Sequence, residues 1–155
     1  MANPPFGFDT AEDSPGFLLW QTTISWQRLI KKALELHGIS HAQFVIMAIL
    51  LWSQGDKKDV AQIDIIRMSK LDKMTVSKSL KKLVVMNLVE RHENQEDTRS
   101  KSVQLTKSGV DLVKKLVPIV EGIDADFFGQ LQNKEEKTLI TFLQKLIVTE
   151  HVNKT

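Results

Sequence analysis

Four runs decide the fold of this chain: Leu71-Asp72-Lys73-Met74-Thr75-Val76-Ser77-Lys78, Leu88-Val89-Glu90-Arg91, Asp97-Thr98-Arg99 and Leu105-Thr106-Lys107-Ser108-Gly109. Asp72 is an N-cap residue ahead of an amphipathic stretch, which predicts a helix over residues 73–86. At helical spacing Val76, Leu80, Leu83 and Val84 share one face, and Lys73, Thr75, Ser77, Lys78, Lys81 and Lys82 lie away from it. Asn87 tolerates the left-handed backbone that would end this helix. Residues 88–92 and 101–105 read as two strands around a polar tip. A two-faced helix followed by a hairpin with arginine at its tip is the outline of a winged helix-turn-helix, a fold that meets duplex DNA.

The expected contacts follow from chemistry. Thr75, Ser77 and Lys78, in the first turns of the helix, are candidates for base edges in a major groove. Lys81 and Lys82 are expected to reach phosphates, and Lys70, Lys73 and Lys101 complete the candidate set of DNA-binding cations. Arg99 suits insertion into a narrow A·T-rich minor groove. Phosphate repels a carboxylate, so Asp97 is expected to orient Arg99 by a charge-assisted hydrogen bond. The plainer readings are a solvated lysine face and a solvated turn. What favours DNA is that both features occur in succession.

Charge distribution agrees. The whole chain of 155 residues carries only +2. Residues 66–107, however, hold ten Lys/Arg against five Asp/Glu, leaving the remainder acidic on balance. Positive charge is concentrated where backbone phosphates would be met.

Outward from this core the pattern is helical. Ser14-Pro15 marks a helix start, followed by Leu18, Ile24, Leu29, Ile30, Ala33 and Leu36, with Gly38 as its stop. Ser40 with Gln43 forms a capping box, and Ile39 with Phe44 has hydrophobic-staple spacing. The helix over 41–53 is apolar nearly all round and should be the buried centre. Residues 54–59 read as a polar loop, 61–68 as a short helix, and 1–13 as a loosely docked arm. Thr106 should cap a long helix to about residue 128, with Pro118 and Gly122 causing a bend or brief break. Asn133 with Glu136 signals a last helix over 134–149. The fold class is thus mostly α with a small β-hairpin wing. Residues 1–38 form an N-terminal arm and dimerisation helix, 39–106 the winged DNA-binding lobe, and 107–155 the C-terminal dimerisation helices. The terminal helices are too apolar to stand alone, which points to a homodimer.

Other chemistry is poorly supported. The absence of cysteine excludes disulfides, thiolate metal sites and thiol-based oxidation sensing. Residues 1–8 do not resemble a signal peptide, and the longest apolar run, 44–52, is about half of what spans a bilayer. A cytoplasmic protein with no membrane association is expected. His37 and His41 are separated by the helix-breaking Gly38, while His92 and His151 lie elsewhere, so neither a metal nor a cofactor is expected. No nucleophile elbow, phosphate-binding glycine loop or framed carboxylate pair suggests an enzyme.

The runs quoted above, with Asp97-x-Arg99 and Leu105-Thr106-x-x-Gly109 at this spacing, resemble the MarR-type family of multiple-antibiotic-resistance regulators over nearly the whole chain. The resemblance implies a triangular homodimer whose terminal helices interlock. Two winged lobes would then contact a pseudo-palindromic operator in double-stranded DNA. It implies a sequence-specific transcription regulator, usually a repressor, often released by a small aromatic or anionic effector bound between dimer region and DNA lobe. By position, Arg99 is the wing arginine and Asp97 its partner. Asn87 stands where the family often has glycine, and Lys70 stands in a turn where glycine is also common. The cysteine-sensing branch is excluded.

For an effector, Trp20, Trp26, His37, His41 and Phe44 are the positions the sequence offers, although aromatic residues at helical spacing are more often plain core. A competing function is a winged-helix protein-interaction module whose basic face binds an acidic partner. The wing arginine with its aspartate speaks for DNA. A ligand or metal sensor with little DNA affinity is disfavoured by the basic middle segment.

Overall fold

Each helix begins where a side chain satisfies its free amides. The structure, a computed structural model, describes residues 4–54, 59–93 and 101–149. Thr10 donates its amide and hydroxyl to Asp13, closing a short 3-10 turn over Ala11–Asp13 within the expected arm. Ser14 accepts the amide of Phe17 at 3.2 Å and opens α1, Pro15–Glu35. Gly38, at φ 69°, ends that run: its amide and that of Ile39 turn back onto Glu35 and Leu34. Ser40 and Gln43 then exchange side-chain-to-amide bonds of 3.1 and 2.9 Å at the head of α2, His41–Gln54.

The rest of the chain runs β1 (Val60–Ala61), α3 (Gln62–Ser69), α4 (Lys73–Val85), β2 (Val89–Glu93), β3 (Lys101–Leu105), α5 (Lys107–Phe128) and α6 (Asn133–Thr149). The three strands are antiparallel in the order β1-β3-β2, with Val103 opposite both Val60 and Arg91. β1 falls where the sequence suggested only loop and helix start. Two residues carry no alternation; they become a strand because β3 has an edge to offer.

The chain divides into two compact units, Met1–Ile119 and Val120–Thr155. In the first, α2 contributes Ile46, Met47 and Leu50 to the core, joined by Ile30 and Leu34 of α1, Ile65 of α3 and Val89 and Val103 of the sheet. Val113 and Leu116, in the first half of α5, are fully buried as well. The second unit holds the end of α5, where the Phe127 and Phe128 rings meet edge to face at 5.2 Å, and α6. No helix among the described residues is long and apolar enough to cross a membrane.

Three local expectations change. α5 runs uninterrupted through Pro118 and Gly122; a proline removes one i→i−4 bond, and the other turns of a 22-residue helix keep theirs. The cap of α6 begins one residue early: Gln132 donates its amide to Glu135 at 2.8 Å and accepts that of Glu136. On α4, Val84 is 40% exposed, while Ser79 is buried instead. The buried arc centres on Val76, Leu80 and Leu83, and Val84 sits at its margin.

Candidate nucleic-acid interface

Asp64 starts the helix-turn-helix by accepting the Ala61 amide at 3.1 Å while holding Arg67 at 2.8 Å. α3 ends at Lys70, whose φ of 60° is left-handed, a cost for any residue with a Cβ. Ser69 accepts the Leu71 amide across the turn. Asp72 then caps α4, accepting the Thr75 amide at 2.8 Å and the Thr75 hydroxyl at 2.7 Å. These two bonds, the hydroxyl's first, hold the Asp72 carboxyl below the ordinary aspartate range. The far end closes at Asn87, φ 59°, with the amides of Asn87 and Leu88 returned to Val84 and Leu83.

Between those caps the helix has two clearly different sides. Val76, Leu80 and Leu83 have no exposed surface. Met74, Lys78, Lys81 and Val85, spaced by four, three and four residues, form the opposite stripe and are all exposed. Lys73 and Lys82 flank it, exposed too. The α4 cations foreseen from sequence therefore lie on the surface together, with Lys70 exposed in the turn before them. Thr75 and Ser77 are half-buried. The Thr75 hydroxyl gives its one proton to the cap and keeps its acceptor lone pairs, and the Ser77 carbonyl accepts Arg91 Nη2 from β2 at 3.3 Å.

That arginine bond joins recognition helix to wing, a link no sequence pattern announced. Arg91 Nε is buried with no partner among the described residues. Lys101 pairs in register with Glu93 at the outer end of the hairpin. Asp97 and Arg99 lie outside the described residues. Behind the wing, Thr106 ties β3 to α5. Its hydroxyl donates to the Asn87 carbonyl at 2.7 Å and accepts the Gly109 amide at 3.0 Å.

Of the five aromatic and histidine positions proposed for a ligand, two meet directly. Trp20 is 65% exposed and Phe44 is buried. Trp26 and His41 meet edge to face at 5.3 Å, and His37 is half-buried near the end of α1. A cleft of about 980 Å³ does exist, and of those five residues only His41 lines it. Its walls are Arg28, Lys31 and Glu35 of α1, the turn into α2, and Lys81, Lys82, Val85 and Met86 at the end of α4. The sequence held no signal for Arg28 and Lys31, because only packing brings α1 alongside α4.

Residues 35–122 match the family model of the ArnR1-like winged-helix domain. The chain is 36% identical to the uncharacterized HTH-type transcriptional regulator YdcH of Bacillus subtilis, over 92% of this chain and 96% of the relative. Among solved structures it is similar to BpsR of Bordetella bronchiseptica, whose DNA binding is regulated by 6-hydroxynicotinic acid. The TM-score is 0.79 at 25% identity, covering 92% of this chain and 97% of that one. A cysteine-to-serine mutant of MarR from Escherichia coli, complexed with operator DNA, shares the fold. There the TM-score is 0.76 at 22% identity, covering 90% of this chain and 99% of that one.

Proposed function

This chain belongs to the MarR-type family of winged-helix transcription regulators, not to an enzyme family, and we propose that it works in the cytoplasm as a homodimeric repressor released by a small effector. The observation that carries the reading is the outward stripe of α4. Lys78 and Lys81 stand on it, with Lys73 and Lys82 beside it, on a helix capped at both ends and backed by core. Such a helix enters a major groove by its N-terminal turns, while its lysines neutralise phosphates on either side. Lys70, Lys101 and, from sequence alone, the Asp97–Arg99 pair extend the contact to the flanking backbone and minor groove.

Residues 39–106 are assigned to DNA, 1–38 and 107–155 to pairing of subunits. Trp20, Leu19 and Leu36 on the α1 segment, and Phe142, Leu146 and Ile147 on α6, are each at least half exposed. That much uncovered apolar surface favours a second copy. A two-fold dimer requires a pseudo-palindromic operator with half-sites about one helical turn apart. For release, the cleft beside Lys81 and Lys82 is the favoured seat. An anionic or aromatic-acid ligand there competes for the lysines that DNA needs.

The deciding experiment is binding of the purified protein to the DNA upstream of its own gene, titrated against salt beside a random duplex, with the mass of the complex measured by light scattering. Saturable binding of a dimer to one inverted repeat, persisting at about 150 mM salt, supports the reading. Failure to bind any genomic fragment returns weight to a module that docks an acidic protein.

A further inference from the structure

We infer that Met74 reads a thymine, by seating its side chain against the 5-methyl group in the major groove. The inference rests on the DNA-reading function proposed above and assigns part of its sequence preference to a residue with no hydrogen-bonding group to offer.

Met74 is the second residue of α4, between Lys73 and the half-buried Thr75, and it is 66% exposed. It heads the outward stripe, one turn before Lys78 and two before Lys81. A lone exposed apolar residue is ordinary on a protein surface. Its setting is what distinguishes this one. The N-terminal turns of a recognition helix lie nearest the base edges. In this helix the neighbouring hydroxyl, on Thr75, has already given its proton to Asp72 at 2.7 Å and has none to donate to a base. Ser77, the next hydroxyl, is half-buried behind the stripe. The first turn therefore presents to the groove a thioether chain bracketed by cations. The other exposed apolar residue of the stripe, Val85, lies three turns further on and lines the cleft.

The chemistry of the groove then selects the target. Each base pair shows donors and acceptors on its major-groove edge, and only thymine adds an apolar group there. An unbranched, polarisable methionine can follow that methyl over a range of approach angles better than a branched residue can. The flanking lysines supply the charge that brings the helix to the backbone, and the methyl contact supplies a preference among sequences.

The test separates this contact from DNA binding as such. The full-length protein selects its preferred duplex from a random pool. Each thymine of one half-site is then replaced singly by deoxyuridine, which keeps base pairing and removes only the methyl. Affinities are measured by fluorescence anisotropy at fixed salt for wild type, Met74→Ala and Met74→Leu. The expected result is one thymine whose replacement weakens wild-type binding by roughly fourfold, the order expected for one buried methyl. That replacement should leave Met74→Ala unaffected, while Met74→Leu keeps most of the sensitivity. Circular dichroism should be unchanged, since Met74 is outside the core. If no deoxyuridine affects wild type, or each affects Met74→Ala equally, the methyl contact is wrong although DNA reading stands. If the pool never converges on a sequence, sequence-specific reading itself fails, and the contact with it.

Discussion

Gly109 lies directly against the carbonyl oxygen of Leu88, so closely that a Cβ at position 109 would overlap it. The same carbonyl accepts the Thr106 amide at 3.0 Å, so it cannot swing aside without loosening the start of α5. This contact explains the Leu-Thr-x-x-Gly run in physical terms. Threonine caps the helix and ties it to Asn87, and glycine lets its first turn settle onto the entry to β2. Glycine inside a helix ordinarily costs about 1 kcal/mol relative to alanine. Here the overlap reverses the sign. Gly109→Ala should lower stability by about 2 kcal/mol net, the usual scale of overpacking. Thermal unfolding should show a melting point lower by roughly 4–8 °C; an unchanged one would mean the turn yields freely.

Lys70 and Asn87 hold the same left-handed backbone, at φ 60° and 59°, on either side of α4. Left-handed backbone costs a residue with a Cβ about 1 kcal/mol or more, less for asparagine. Asn87→Ala should therefore destabilise the protein by about 1 kcal/mol, and Asn87→Gly should not. Lys70→Gly should leave the melting point equal or higher, because glycine holds the left-handed backbone without a Cβ penalty, while the lost cation weakens operator binding. Stability and affinity falling together would deny Lys70 its proposed place at a phosphate.

Acid should weaken the cap of α4. Donation by the Thr75 hydroxyl, and then by its amide, keeps Asp72 ionised to below the ordinary aspartate value of 3.8. A carboxylate lowered on folding adds stability that is complete above its unfolded value and vanishes as pH falls through the folded one. The melting-point advantage of wild type over Asp72→Ala should be constant from about pH 7 to pH 5 and shrink below about pH 4. An advantage that persists undiminished at about pH 2 would show that the charge contributes nothing.

Lys81 and Lys82 should act without regard to sequence. Replacing either by alanine is expected to reduce affinity for specific and random duplexes alike. The plot of log K against log salt should flatten by about 0.9 for each phosphate that is no longer neutralised. The same substitutions should weaken an anionic effector seated in the cleft they line. An unaltered salt slope would take that lysine off the phosphates.

Much of the recognition element is legible in the chain because its determinants are local. Asp72 caps three residues ahead, Ser40 and Gln43 cap each other, and Gly38 and Asn87 end the helices they follow. Cap, period and stop all act within one turn, so residue order alone reveals them. The sequence also places the face of α4 correctly except at its margin. There a rotation of some tens of degrees exchanges Val84 for Ser79, and only the packing partners set that angle.

What the sequence determined by itself, then, is the order of elements, their caps, the basic stretch and the kind of protein these make. The tertiary structure alone decided which side chains remain available. Packing set Arg91 against Ser77, brought Arg28 and Lys31 beside Lys81 and Lys82, and turned two residues before α3 into a strand. The reason is range. A hydrogen bond within a helical turn is written in adjacent residues, whereas contacts between residues 14 to 54 positions apart depend on how the core closes.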